Sequence, residues 1–204
     1  AIITYLQNGG KTLILTDYTG KEHTNYDSIL AEYGIEVKDG IVVETDSNMY
    51  VQRPYYIVPT ISASEITTDM TGGSTNVLLS GCQGFKVSEN ARDTLDISTV
   101  LSPSEGAFVK TDPQNMTSYD KEDGDADGPF SVAVTVSEDV SGTSDEDSDS
   151  SGADEATTET DNAATEAATS DETKTTQLVA IASSAILDSS MNSMVSDGNY
   201  TLYM

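Results

Sequence analysis

Residues Tyr5 to Glu44 read YLQNGGKTLILTDYTGKEHTNYDSILAEYGIEVKDGIVVE, and this stretch holds helix, turn and strand signals in succession. Asn8-Gly9-Gly10 offers the positive-φ positions that end a helix, and Thr12 to Thr16 is a short apolar run of the kind found in strands buried on both faces. Tyr26, Ile29, Leu30 and Tyr33 then fall at i, i+3, i+4 and i+7, so they line one face of a second helix. Thr24 or Asn25 is placed to cap its start, and Gly34 closes it. After the Lys38-Asp39-Gly40 turn, the β-branched run Ile41-Val42-Val43 predicts another strand. The whole reads as one α/β unit.

Working outward, Arg53-Pro54 and Val58-Pro59 push the residues before each proline towards extended backbone, with a short strand around Tyr55 to Val58. Ser62 or Ser64, ahead of Glu65, predicts a helical turn through Met70 that Gly72-Gly73 ends. Short extended segments follow at Val77 to Leu79, Gly84 to Val87, Ser98 to Leu101 and Ala107 to Val109. In Pro129 to Val136 the apolar Phe130, Val132, Val134 and Val136 alternate with small residues, the signature of a strand with both faces covered. Leu178 to Ala182 predicts the last interior strand, with a helix starting near Asp188 and another around Tyr200.

The chain has 204 residues, with 35 acidic against nine basic side chains and a formal net charge of -26. That balance makes nucleic acid and anionic membrane surfaces repulsive partners. Roughly half of the acids fall between Asp120 and Glu172. Within that part, Ser137 to Thr176 is nearly devoid of large apolar side chains and has nothing to offset the ~1–2 kcal/mol of backbone entropy that each ordered residue costs. The predicted organisation is therefore one α/β domain, residues 1–136 and 177–204, with 137–176 a disordered acidic loop between two strands. No apolar run reaches the ~20 residues of a membrane span. The start inside a helix pattern reads as that of a segment from a longer protein.

Chemistry-bearing residues are few. The single cysteine, Cys82, follows the Val77-Leu78-Leu79 strand in Ser80-Gly81-Cys82-Gln83-Gly84, a placement like that of a nucleophile elbow, but Ser80 stands where the elbow needs its first glycine. The single histidine, His23, lies far upstream in a polar loop, so the plain reading of Cys82 is a small apolar core residue. Asp123, Asp125 and Asp127 in Asp123-Gly124-Asp125-Ala126-Asp127-Gly128 match the first half of a calcium loop, whereas its twelfth position is Val134, so the choice is between a weak Ca2+ site and a solvated acidic turn. No phosphate-cradling glycine fingerprint occurs, and no cofactor other than that weak Ca2+ is expected. Tyr50, Tyr55 and Tyr56 could line a polar ligand or sugar surface, or be ordinary half-buried tyrosines.

The order of segments resembles the extracytoplasmic domain of GldG-type auxiliary components of ABC transporters. The residues that carry the likeness are YLQNGGKTLIL, LAEYGIEVKDGIVVE, TVLSPS, DGPFSVAVTV, and QLVAIASSAILDSS with GNYTLYM. The resemblance implies a three-layer flavodoxin-like or class I glutamine amidotransferase-like α/β fold, with a mainly parallel sheet and some antiparallel strands. It also implies transmembrane helices outside this segment as the only tie to the membrane, and a permease and an ATPase as partners on the outer side of the cell membrane. Ala182-Ser183-Ser184-Ala185 departs from the Gly-Asp-Ser type of turn that often follows the family's last strand. The expected role is non-catalytic, in protein or substrate interaction. A carbohydrate or small-ligand binding module and a degenerate amidotransferase-like hydrolase using Cys82 are the alternatives.

Overall fold

In the computed structural model, which describes residues 1–21, 23–70, 75–141 and 174–204, the opening stretch forms helix α1 (Ile2–Gln7), strand β1 (Lys11–Leu15) and helix α2 (Thr24–Glu32). The glycine pair ends α1 as expected. Gly9 has φ +83°, and the N–H groups of Gly9 and Gly10 donate back to Leu6 O and Tyr5 O at 2.9 and 3.0 Å. In α2, Ile29 and Leu30 are buried, as is Tyr33 just beyond it, whereas Tyr26 is half-buried with its hydroxyl donating to Leu15 O at 2.6 Å. The cap differs from expectation, because His23 occupies the N-cap position and makes no side-chain capping bond.

Gly34, at φ +74°, turns the chain into β2 (Ile35–Lys38), and Gly40 leads into β3 (Ile41–Val43). A side chain at position 40 would meet Lys110 O at 2.2 Å, so two backbones approach there at a distance that requires glycine. The following strands are β4 (Tyr56–Ile57), β5 (Thr60–Ile61), β6 (Leu79–Ser80), β7 (Gly84–Val87), β8 (Leu95–Ser102), β9 (Phe108–Lys110), β10 (Ala126–Asp127), β11 (Ala133–Asp139) and β12 (Thr175–Ile181). A 3-10 turn, Glu65–Thr67, follows β5, and the Ser64 N–H donates to Thr67 Oγ1 at 2.8 Å. Another 3-10 turn, Ser184–Leu187, precedes α3 (Ser189–Met194) and α4 (Gly198–Tyr203). Asp188 caps α3 by accepting from the Ser190 N–H.

The largest sheet has the order β1-β12-β11-β8-β5, and smaller sheets pair β10-β9-β3, β2-β7 and β4-β6. This overturns the expected flavodoxin-like or class I glutamine amidotransferase-like architecture with a mainly parallel sheet. Among the described residues β1 and β12 run parallel, and the other paired strands are antiparallel, giving a mainly β molecule with mixed sheets. A parallel sheet needs a crossover, normally a helix, between successive strands. Here only α2 stands in such a position, and the chain after it feeds short strands into small separate sheets. The apolar runs that predicted strands buried on both faces were also misleading for β1, which is an edge strand with Leu13 49% exposed.

One face of the large sheet is core. Ile14, Leu178, Ala180, Val134 and Val136 are buried on it, continuous with Leu6 of α1 and with Ile29, Leu30 and Tyr33 of the α2 segment. The opposite face alternates out of the core, with Leu13, Val179, Thr135 and Ser98 forming one cross-strand row. Lys11, Gln177, Ser137 and Asp96 form the next. The predicted acidic loop lies mainly on residues 142–173, outside the described residues, but its two ends are strand, in β11 and β12.

Candidate functional site

Cys82 sits where the chain passes from β6 to β7, fully buried, and its backbone carbonyl accepts from the Val42 N–H at 2.8 Å. Burial pushes the thiol up to about 12, with the nearby Glu44 carboxylate adding to the effect. A thiol so poised holds its proton at neutral pH and offers no nucleophilic sulfur. His23 is exposed at the start of α2, with Nε2 2.5 Å from Thr19 Oγ1, so the structure does not bring the imidazole into a bond with the thiol.

Two of the three aspartates of the acidic turn pair with different lysines. Lys110, 1% exposed at the end of β9, donates to Asp120 O at 2.9 Å and to Glu122 Oε2 at 2.7 Å, and its Nζ lies 3.1 Å from Asp125 Oδ2. Burial raises the Asp125 pKa, but the N–H groups of Glu122 and Thr111 and the Lys110 ammonium outweigh it, so the net shift is downward. Asp127 pairs with Lys121, and Asp123 is left apart. The Lys110 ammonium thus lies between the Glu122 and Asp125 carboxylates, and among the described residues no group of three or more acidic, His or Cys side chains is arranged for a metal.

Tyr50, Tyr55 and Tyr56 fall near one another through the bridge between Tyr50 and Ile57 and the β4-β6 pair. Tyr55 packs edge-on against Tyr56 with centroids 4.9 Å apart, and it also meets Tyr119 at 5.8 Å. Arg53 lies over Tyr55, 5.9 Å from its centroid, and donates to the Tyr119 hydroxyl at 3.2 Å. Sequence reading named three of these tyrosines and missed Tyr119 and Arg53, because 66 positions separate the bonded pair.

Two buried polar anchors were also missed. The Glu44 carboxylate, 2% exposed, accepts from the N–H groups of Thr45, Asp46 and Ser104 and from the Ser104 hydroxyl, fixing the turn after β8. The fully buried Asn199 accepts from Leu78 N–H at 2.8 Å and donates to Leu78 O at 2.9 Å, so the side chain of α4 imitates a neighbouring strand. The Ser183-Ser184 turn is structural in the same way. Ser183 Oγ donates to Ser80 O, and the Ser184 N–H donates to Asp17.

The outer face of the large sheet forms a groove of about 520 Å³, walled by β8, β11, β12 and the segment Ala63 to Ile66. Hydroxyls of Ser98, Thr135, Ser137 and Thr175 and the Gln177 amide share its surface with apolar Ile66 and Val179, and Glu65 and Asp96 stand in its lining.

No family model matches the chain, and no curated protein matches it. Among solved structures it is similar to one described as the mmIFT52 N-terminal domain. The TM-score is 0.54 at 13% identity, over 99% of this chain and 65% of that chain. At that identity the likeness concerns the fold, and the chain spans 65% of the solved chain it matches. Among the described residues no helix is long and apolar enough to cross a membrane.

Proposed function

We propose that the chain is a non-catalytic extracytoplasmic domain of an ABC-transporter auxiliary protein, working through contact with partner subunits. The setting comes from the GldG-type resemblance of its segments, and the non-catalytic character from the site chemistry. The observation that carries the latter is the sealed thiol. The one sulfur nucleophile in the sequence is fully buried with its proton held, and the one imidazole is bonded to Thr19 at the surface. A general base must lie within hydrogen-bond reach of the group it activates. The test is purification of the parent protein from membranes in mild detergent, with mass spectrometry of what accompanies it. An ABC permease and an ATPase in constant ratio are the expected companions. Their absence, or a hydrolase activity that disappears in a Cys82→Ser protein, would overturn the reading.

A second reading rests on the Tyr55, Tyr56 and Tyr119 rings with Arg53, an aromatic and cationic cluster suited to a sugar or other polar small ligand. Thermal-shift screening with sugars checks it, since a ligand at a hundred times its dissociation constant adds ~2.7 kcal/mol of stability. A shift retained by a Tyr55→Ala, Tyr119→Ala protein would place the ligand elsewhere.

A further inference from the structure

We propose that the outer groove of the five-stranded sheet is the seat of a basic amphipathic helix carried by a partner protein. This deepens the interaction role proposed above and rests on it. The first argument is architectural. A mixed sheet packed on one face can leave the other open to solvent, and a helix laid across such a face is one of the stable layer arrangements. In this molecule the core face is filled, whereas among the described residues the outer groove is walled by strands and the 3-10 turn segment.

The second argument is chemical complementarity. Along the groove, Val179 and Ile66 (37% exposed) supply apolar contact, and Leu13 (49% exposed) continues the row of Val179 onto the sheet edge. Glu65 and Asp96 are the charged residues of the lining, and neither makes an ion pair among the described residues. The cation in the same cross-strand row, Lys11, lies on β1, beyond β11 and β12 from Asp96. A helix with an apolar stripe and flanking lysines or arginines meets both features: its stripe covers Val179 and Ile66, and its cations reach the two free carboxylates. A second copy of this chain does not, because each copy would bring a formal charge of -26 to the contact.

The test uses the full chain and a synthetic peptide of about 18 residues, long enough for a stable helix, with leucines on one stripe and lysines elsewhere. Its counterpart carries glutamate at every lysine position. Binding is followed by fluorescence anisotropy at physiological salt and mapped by amide chemical-shift changes. The lysine peptide should bind and move the signals of Ser98, Thr135, Gln177 and Val179, while the glutamate peptide should not bind. A Glu65→Lys, Asp96→Lys protein should bind about tenfold more weakly. The same charge change at Asp39→Lys, Glu105→Lys, outside the groove, should leave affinity within about twofold.

Equal losses in the two double variants would reduce the binding to unspecific charge and overturn the proposal. So would shifts centred on Tyr55 and Tyr119, or a self-associated dimer that buries the groove. Failure of the underlying non-catalytic reading would show differently, as turnover dependent on Cys82.

Discussion

At Cys82 the same desolvation that lifts the thiol to about 12 also shields it from reagents. Iodoacetamide should leave it unmodified in the folded protein and alkylate it fully in denaturant, as read by intact mass; rapid native labelling would show an accessible sulfur. Asp125 shows the opposite electrostatics. Although burial opposes ionisation, two N–H donors and Lys110 hold its pKa below the ordinary 3.8. Its contribution to stability is therefore full above about 4 and is lost as pH falls through the lower folded-state value. In urea titrations the natural protein should exceed Asp125→Asn in stability at pH 6, with the gap narrowing below pH about 4. A constant gap would mean that the carboxylate charge is not what the site uses. Asn199 makes a third residue-level case, since removing its amide leaves the buried Leu78 N–H and C=O without their partner. Asn199→Ala should cost about 1–3 kcal/mol in urea unfolding. None of these partnerships was legible in the sequence. Asn199 and Leu78 stand 121 positions apart, and nothing local announces the bond.

At the scale of elements, local signals were read well and pairings poorly. The Gly9-Gly10 stop, the face Tyr26, Ile29, Leu30 and Tyr33, and the alternation from Phe130 to Val136 all depend on neighbours in the chain, and all appear in the structure. Strand direction depends on connections instead. The run from Thr12 to Thr16 looks alike whether a strand lies inside a parallel sheet or at the edge of a mixed one, and β2 went unnoticed because its partner is the distant β7. The groove was hidden for the same reason: Ser98, Thr135, Gln177 and Val179 meet only through register. The two faces of the large sheet should respond differently to substitution. Leu178→Ala on the core side should cost about 2–5 kcal/mol. By contrast, Leu13→Ser on the exposed edge of β1 should stay within about 0.5 kcal/mol in the isolated protein. Equal costs would show that the outer face is covered in the free chain.

For the whole molecule, a mainly β scaffold with mixed sheets encloses the sole thiol and leaves one broad sheet face outward, between Glu65 and Asp96. Its strong negative charge favours basic partners and discourages self-association. We propose that this face does the recognising, within a membrane-transport assembly. Carbodiimide labelling of carboxylates, compared between the free chain and the assembly isolated from membranes, tests it directly. Glu65 and Asp96 should lose most of their labelling in the assembly while Asp39 and Glu105 keep theirs. Unchanged labelling of Glu65 and Asp96 in a demonstrably intact assembly would contradict the claim.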